Sequence, residues 1–171
     1  MPCRGVYYAL TPDQEQRLLA CRTDRELFDL IAEEIGEQWD EEHLCETDKA
    51  WDGIHRVLGD GTLIPKGKGS LESVVLGGKS LHKGYDYIVS YLAAPEVAEL
   101  APELQPIDES WFRERYFALN KKTFFPIGRS DYADFVSDED FGYCWAYFEA
   151  IRDFFQKAAQ DNRATIFTVS Q

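Results

Sequence analysis

The chain has 171 residues, the usual size of one domain, and 44% of them are hydrophobic, enough to build a core without disulfides. Its 18 Lys and Arg face 31 Asp and Glu, so the formal net charge is -13. Such a chain repels phosphate backbones and anionic lipid, so the sequence predicts no nucleic-acid partner and no membrane partner. The charge favours a basic protein partner, although it also serves solubility alone.

The N-terminus and the cysteines indicate a reducing compartment. Residues 1–5 lead into no apolar stretch of the signal-peptide type, and no segment reaches the roughly 20 apolar residues that span a bilayer. The four cysteines are scattered and form no Cys-x-x-Cys pair: Cys3, Cys21, Cys45 and Cys144. We therefore expect reduced thiols and a cytoplasmic protein.

The first part of the chain predicts one strand and two helices. Residues 4–10 are rich in β-formers and predict a strand. Thr11, with Gln14 three residues later, forms a capping box for a helix over 12–21. Thr23 opens a second helix, whose inner stripe has helical spacing: Leu27, Leu30, Ile31, Glu34 and Ile35.

An acidic run follows, with nine acids and one base, Lys49, between Glu33 and Asp52. Such a run is typical of a solvated surface or loop. It can also be a docking surface, because complementary charge speeds the encounter with a basic protein. The sequence leaves both interpretations open.

Capping residues, glycines and the hydrophobic period predict the remaining elements. In chain order these are a helix over 48–58 capped by Thr47, a loop over 59–69, one helical turn at 70–77, a strand over 85–92, a helix over 95–101, a helix from Asp108 to Leu119, a helix over 138–159 capped by Ser137, and a strand over 164–170. Residues 120–137 show no clear period.

These elements predict an α+β fold, a helix-dominated single domain over residues 1–171 with a small, mainly antiparallel sheet. The sheet would join the N-terminal, middle and C-terminal strands, and the aromatic helix over 138–159 would pack on one of its faces. Pairing of the two terminal strands would tie down both chain ends.

Phosphate-loop and metal motifs are incomplete in this sequence. The Gly-Lys-Ser run at 78–80 ends like a Walker A loop, but Ser73 stands where the leading glycine belongs and apolar residues 74–76 fill the cradle. Three candidate metal ligands, His43, Cys45 and His55, match no familiar zinc spacing. We expect no nucleotide, no metal and no cofactor.

The strongest group of chemistry-bearing residues lies on the predicted helix over 48–58: Asp48, Trp51, Asp52 and His55. Asp48, Asp52 and His55 fall near one helical face, at i, i+4 and i+7. An acid three residues before a histidine can fix the tautomer that a general base needs. In the structural alternative, Trp51, Ile54 and Leu58 form a buried stripe, and Asp52 with His55 forms a partly exposed structural pair. This alternative is favoured because no local nucleophile completes a triad.

The sequence of the same predicted helix resembles that of a known family. The string Asp48-Lys49-Ala50-Trp51-Asp52-Gly53-Ile54-His55 resembles the signature of the YfbM-like family, bacterial proteins classed as a domain of unknown function. The similarity extends over nearly the whole chain, from the first strand and its Thr11-Pro12 helix start to the aromatic helix and the final strand. It implies a single α+β domain without an established activity. Asp48, Trp51 and His55 correspond to signature positions, not to catalytic ones.

Three functional hypotheses follow from the sequence. The first is an interaction or binding module whose acidic surface binds a basic protein, such as a basic toxin. The second is a small enzyme or ligand-binding protein with a pocket around Asp52 and His55. In the third, the signature residues are structural. The sequence names no substrate and no oligomeric state.

Overall fold

Strands from the two ends of the chain pair at the centre of an antiparallel sheet. The computed structural model describes residues 4–63, 71–84, 87–119 and 137–170. Within these residues the sheet has five strands in the order β2-β1-β5-β4-β3. Their bounds are β1 Gly5–Ala9, β2 Leu44–Asp48, β3 Lys79–Ser80, β4 Tyr87–Leu92 and β5 Thr165–Ser170. β1 pairs with β5 and β5 pairs with β4, so the predicted sheet of N-terminal, middle and C-terminal strands is confirmed.

Helices make up most of the remaining described chain, which confirms the α+β prediction. They are α1 Pro12–Ala20, α2 Asp24–Asp29, α3 Ala50–Leu58, α4 Ser73–Leu76, α5 Ala94–Leu104, α6 Glu109–Ala118 and α7 Asp138–Gln160. A π-helical segment, Leu30–Ile35, continues α2 directly, and after it the amide of Gly36 donates to the Ile31 carbonyl over 2.8 Å. In the described ranges, no helix combines the length and the apolar character needed to cross a bilayer.

Two hydrophobic cores cover the two faces of the sheet. Because side chains alternate along a strand, Tyr7 and Phe167 point to one face, where their ring centroids lie 4.6 Å apart, and Ile166 points to the other. The larger core holds α3 and the long helix α7, whose Phe148 and Phe155 are fully buried. The smaller core holds the inner residues of α1, α2 and the π-helical segment. The aromatic helix therefore packs on one face, as predicted.

The acidic run contains a strand that the sequence analysis missed. Residues 44–48 form β2 at the edge of the sheet, with Cys45 opposite Tyr7. Cys45 and Thr47 are buried and Glu46 between them is exposed, which is the period of two of a half-buried strand. The interpretation of the whole run as a solvated surface or loop is therefore wrong for these residues. The strand is hard to recognise in the sequence because it is short and only two of its residues point inward.

Helix α3 begins later than predicted, and Thr47 is not its cap. The helix starts at Ala50, and Thr47 lies in β2, where its hydroxyl donates to the carbonyl of Gly5 over 2.9 Å. A Cβ atom on Gly5 would lie 2.5 Å from Thr47 Oγ1, so the close approach of the two strands requires glycine. Asp48 then takes a positive φ of 44°, which turns the chain from the strand into the helix.

Two further elements differ from the prediction. The Lys-Ser pair of the Gly-Lys-Ser run forms β3. Gly78 before it has a φ of 71°, and a Cβ there would lie 2.1 Å from the Tyr91 carbonyl oxygen, so glycine is required. Helix α5 runs to Leu104 instead of ending at 101, since Ala101 and Leu104 are both buried in the larger core. The predictions for 64–70, 85–86 and 120–136 fall on residues outside those described.

Candidate functional site

Helix α3 is buried on almost every side. Trp51, Ile54 and Leu58 form the inward stripe that the structural alternative predicted, and Ile54 has no exposed surface. Trp51 packs against the sheet, with its ring centroid 6.0 Å from that of Phe167. Gly53 lets α7 approach closely, because a Cβ there would lie 3.0 Å from the sulfur of Cys144. The main role of this helix is therefore to pack in the core.

Asp52 pairs with an arginine and not with His55. Its Oδ1 accepts a hydrogen bond from Arg56 Nε over 2.9 Å, and Arg56 is only 2% exposed. Arg56 Nη1 also donates to the carbonyl of Gly61 over 3.1 Å. Burial raises the pKa of Asp52, against the attraction of Arg56. The predicted Asp52–His55 pair is therefore wrong, because the i, i+4 arginine takes the carboxylate.

His55 is buried, with one ring nitrogen bonded to the chain that follows the helix. The side chain is 1% exposed, and Nε2 lies 3.2 Å from the Leu63 carbonyl oxygen, to which it donates. Nδ1 is buried and has no hydrogen-bond partner among the described residues. Burial lowers the pKa of His55, so the neutral ring is favoured. The hydrogen bond from Nε2 holds the segment after α3 against the helix.

Asp48 faces another helix altogether. Its Oδ2 accepts from the hydroxyl of Tyr143 on α7 over 2.9 Å, and its Oδ1 lies 3.2 Å from Arg4 Nε. The amide of Lys49 donates to the same tyrosine oxygen over 3.1 Å. Burial, followed by the hydrogen bond to the Asp48 carboxylate, raises the pKa of Tyr143.

The four predicted site residues thus have separate partners. These are Tyr143 and Arg4 for Asp48, Phe167 for Trp51, Arg56 for Asp52 and Leu63 for His55. The structure places Trp51, Asp52 and His55 on α3 and Asp48 at the end of β2, and it does not bring the four side chains into one constellation.

A cleft of about 370 Å³ opens at the C-terminal end of α3. It is lined by Arg56, Val57, Gly59, Asp60, Gly61, Thr62, Arg115, Ala118 and Leu119. Arg115 Nε donates to the Val57 carbonyl over 2.7 Å, and its guanidinium stacks on Trp111 at 4.7 Å from the ring centroid. The positive charge thus complements the negative end of the α3 dipole. Neither Asp52 nor His55 lines this cleft.

The most exposed large hydrophobic side chain of the described residues lies in the acidic run. Residues 36–43, here called the Trp39 loop, join the π-helical segment to β2. Trp39 is 53% exposed and has a positive φ of 42°. Four carboxylates and no lysine or arginine share the loop: Glu37, Asp40, Glu41 and Glu42. Sequence reasoning missed this residue, although the signal was one tryptophan among dense acids.

His43, at the end of the Trp39 loop, bridges two carboxylates. Its Nδ1 lies 2.8 Å from Asp40 Oδ2, and its Nε2 lies 2.7 Å from Oδ2 of Asp161, which follows α7. The hydrogen bond with His43, followed by that with Lys157, lowers the pKa of Asp161. His43 is itself buried. Within the described ranges, no group of three or more His, Cys, Asp or Glu side chains is placed to hold a metal ion.

Comparison with known proteins places this fold in a family. The sequence profile of a domain of unknown function, DUF1877, matches residues 1–168, so the chain belongs to that family. The crystal structure of YfbM from Escherichia coli, itself a protein of unknown function, is similar, with a TM-score of 0.73 and 17% identity over 97% of this chain and 99% of that one. At this identity the similarity shows the fold alone. No curated protein matches the chain.

The family resemblance seen in the sequence is thereby confirmed, and it brings no activity with it. Asp48, Trp51 and His55 are accounted for by the contacts described above. Only the surfaces of this chain itself can therefore indicate a function.

Proposed function

We propose that this protein is an interaction module that binds a basic protein partner through the Trp39 loop. The observation that carries the proposal is a half-exposed tryptophan, held at a positive φ, in a loop of four acids without a lysine or arginine. The left-handed region disfavours a bulky side chain, and backbone strain of this kind clusters at functional sites. On the sequence grounds given above, the proposed place of this interaction is the cytoplasm.

The side chains of the loop suit such a partner. Tryptophan is among the residues most enriched at the energetic centre of protein interfaces. Surrounding carboxylates steer a basic partner and disfavour acidic ones. Glu37 and Glu41 have no ion pair among the described residues, and Glu42 has only Lys157 at 3.9 Å. Their charge is therefore available to a partner.

The loop is also held in place before binding. Gln14 on α1 donates to the side chain of Gln38 over 2.9 Å, and Arg17 contacts Glu34 over 2.6 Å just before the loop. At its other end, Asp40 is bound by His43. A loop that is already ordered loses less conformational entropy on binding, which favours affinity.

The experiment compares the proteins that the immobilised chain captures from a cell lysate with those that three variants capture. Trp39→Ala and a triple variant, Glu37→Lys with Glu41→Lys and Glu42→Lys, are each expected to lose the captured basic proteins. The control triple variant, Glu99→Lys with Glu103→Lys and Glu114→Lys, makes the same change of charge at exposed acids of α5 and α6. It is expected to retain them. Unchanged capture by Trp39→Ala, or equal loss in the control, would contradict the proposal.

A second candidate function is supported by the cleft at the end of α3. The cleft adjoins the pair formed by Asp52 and Arg56 and follows His55 along the helix, and its size suits a small molecule. The guanidinium of Arg115 at its wall supplies a positive charge for an anionic ligand, with its Nε and Nη2 donating to the carbonyls of Val57 and Gly59 and with Asp60 also lining the cleft. In this proposal the residues predicted as a site support the floor of the cleft and do not touch the ligand.

The second candidate is tested by thermal unfolding in phosphate or succinate against sodium chloride of equal ionic strength. Binding in the cleft raises the melting temperature of the wild type. Arg115→Gln is expected to lose this increase, measured from its own melting temperature in the chloride buffer. Arg113→Gln, on the same helix but not lining the cleft, is expected to keep it. An increase of equal size in both variants would exclude the cleft.

A further inference from the structure

We propose that His43 is a proton-dependent clamp that holds the Trp39 loop in its binding geometry, so that partner binding weakens when the ring loses its proton. The clamp joins His43 to Asp161, which lies 118 positions away in the chain. Its effect on binding rests on the proposed function. The clamp itself is a property of the free protein and is tested without a partner.

The geometry requires a charged ring. Nδ1 faces Asp40 at 2.8 Å and Nε2 faces Asp161 at 2.7 Å, and a carboxylate can only accept a hydrogen bond. A neutral imidazole donates from one nitrogen alone, so its other nitrogen would meet a carboxylate without a proton between them. Both contacts are formed together only by the imidazolium, with each ring nitrogen donating.

Other charged groups also surround the two carboxylates of the clamp. Lys157 lies 3.1 Å from Asp161 and Arg163 lies 3.7 Å from Asp40, so each carboxylate has a fixed cation besides the ring. Glu42 lies 3.9 Å from Lys157 and is exposed, and it does not contact His43. The proton requirement of the clamp therefore rests on the two ring contacts.

One further titratable group, Tyr8 of β1, lies beside the ring, in the small pocket that Asp40 and His43 also line. Burial raises the pKa of Tyr8, so its hydroxyl stays neutral in the range in which histidine titrates. Tyr8 therefore does not contribute to the change of charge that the clamp requires.

Loss of the proton acts on the loop and not on the histidine backbone. The His43 carbonyl accepts from the amide of Ala9 over 2.8 Å, which fixes the residue beside β1. Asp40, by contrast, lies in the loop directly after Trp39. The amide of His43 keeps its hydrogen bond to the Asp40 carbonyl, over 2.9 Å, so the loss of one ring contact loosens the Trp39 side of the exposed loop and leaves the turn at Asp40 in place. Trp39 then no longer has the fixed orientation that lowers the entropic cost of binding.

The first test follows the free protein by NMR between about pH 5.5 and 8.5, the range in which histidine side chains exchange their proton. The indole N–H signal of Trp39 is expected to shift with the same midpoint as the ring signals of His43. In His43→Gln the shift is lost, whereas His82→Gln, at a histidine outside the loop, retains it. A Trp39 signal that does not change with pH, or an unchanged shift in His43→Gln, overturns the clamp.

A second variant keeps the test valid if His43→Gln fails to fold. Asp161→Asn presents an amide to Nε2, and an amide can donate to an unprotonated nitrogen or accept from a protonated one. Both contacts of the ring then persist in its neutral form. The pH-dependent shift of Trp39 is therefore expected to shrink in Asp161→Asn. A shift as large as that of the wild type overturns the proposal.

The effect on binding is measured with an arginine-rich peptide, since arginine keeps its charge throughout this pH range. Its affinity for the wild type is expected to fall about tenfold from pH 6 to pH 8 at constant ionic strength, the equivalent of one charge-assisted hydrogen bond. Loss of the ring proton also makes the loop more negative, which alone would strengthen binding of this peptide, so a fall reports the loss of the fixed Trp39 orientation. In Asp161→Asn the fall is smaller. If Trp39→Ala binds the peptide as well as the wild type, the proposed function fails for this probe, whereas the NMR result still decides the clamp.

Discussion

Helix α3 and the Trp39 loop both contain a tryptophan, a histidine and at least one acid, but they differ in what surrounds these groups. In α3, Trp51 is buried in the larger core and Asp52 is paired with a buried arginine. In the loop, Trp39 is exposed and most of the acids face solvent. Similar side chains therefore support the core in one region and form a surface in the other. Residue type and spacing alone do not identify a site.

The two histidines show the same contrast. His55 is enclosed by the core and donates to a backbone carbonyl, so its burial favours the neutral ring. His43 is also buried, but two carboxylates face its nitrogens. Burial disfavours a charged ring unless charged partners compensate for it. Four variants, taken from the largest expected effect to the smallest, test this difference between the two regions.

The largest effect is expected from breaking the buried pair in α3. Arg56→Ala removes the partner of Asp52 and leaves a largely buried carboxyl uncompensated. We expect the free energy of unfolding to fall by about 3–5 kcal/mol in urea denaturation. Arg113→Ala, which breaks an exposed pair with Asp138, should cost about 1 kcal/mol or less. Equal losses in the two variants would contradict the structural role of α3.

A smaller loss of stability is expected where β1 pairs with β2, the strand that links the two regions. Gly5→Ala places a Cβ 2.5 Å from Thr47 Oγ1 and 2.6 Å from Phe167 Cζ, so β2 or the core must shift. We expect a loss of about 1–3 kcal/mol in the free energy of unfolding, as for other overpacked sites.

The matched control for this strand is Gly142→Ala in α7. A Cβ at Gly142 meets nothing within 4 Å, and alanine favours the helix by about 0.5–1 kcal/mol. The control is therefore expected to gain stability in the same urea titration. If Gly5→Ala also gained stability, the close pairing of β1 with β2 would be wrong.

In the loop, a substitution is expected to increase stability. Trp39→Asn keeps the positive φ but uses a residue that tolerates it, so about 1 kcal/mol of backbone strain is relieved. Thermal unfolding should show a higher melting temperature for Trp39→Asn, and Trp39→Ala, which keeps the strain, should not. Partner binding should be lost in both. A loss of stability in Trp39→Asn would mean that the indole contributes to packing.

The smallest effect concerns the pH dependence of stability. The pKa of the buried His55 is lowered in the folded state, so below about pH 6.5 the unfolded chain binds the proton more readily. The contribution of this group to the free energy of unfolding is thus fully present at higher pH and is lost as the pH falls. His55→Gln should make the decrease on acidification shallower in urea titrations at several pH values. His82→Gln is the control, and the same change in both variants would exclude His55 as the cause.

The sequence by itself determined the local elements with clear caps and periods. The Thr11 and Gln14 capping box, the Ser137 cap of the long helix and the Asp108 cap of α6 are all present, because each depends on residues within one turn. The hydrophobic patterns also predicted the two terminal strands and the stripe of α3. These patterns led to the α+β fold, and the string on α3 led to the family.

The tertiary structure alone decided which polar groups meet. Nothing in the local sequence shows that Arg56 takes the carboxylate of Asp52, or that Asp161 reaches His43 from 118 positions away. The strand β2 was missed because its partner, β1, lies about forty residues away and only two of its residues point inward. Exposure of Trp39 likewise depends on the surrounding fold. Contacts between distant parts of the chain are set by packing, which the local pattern of residues does not specify.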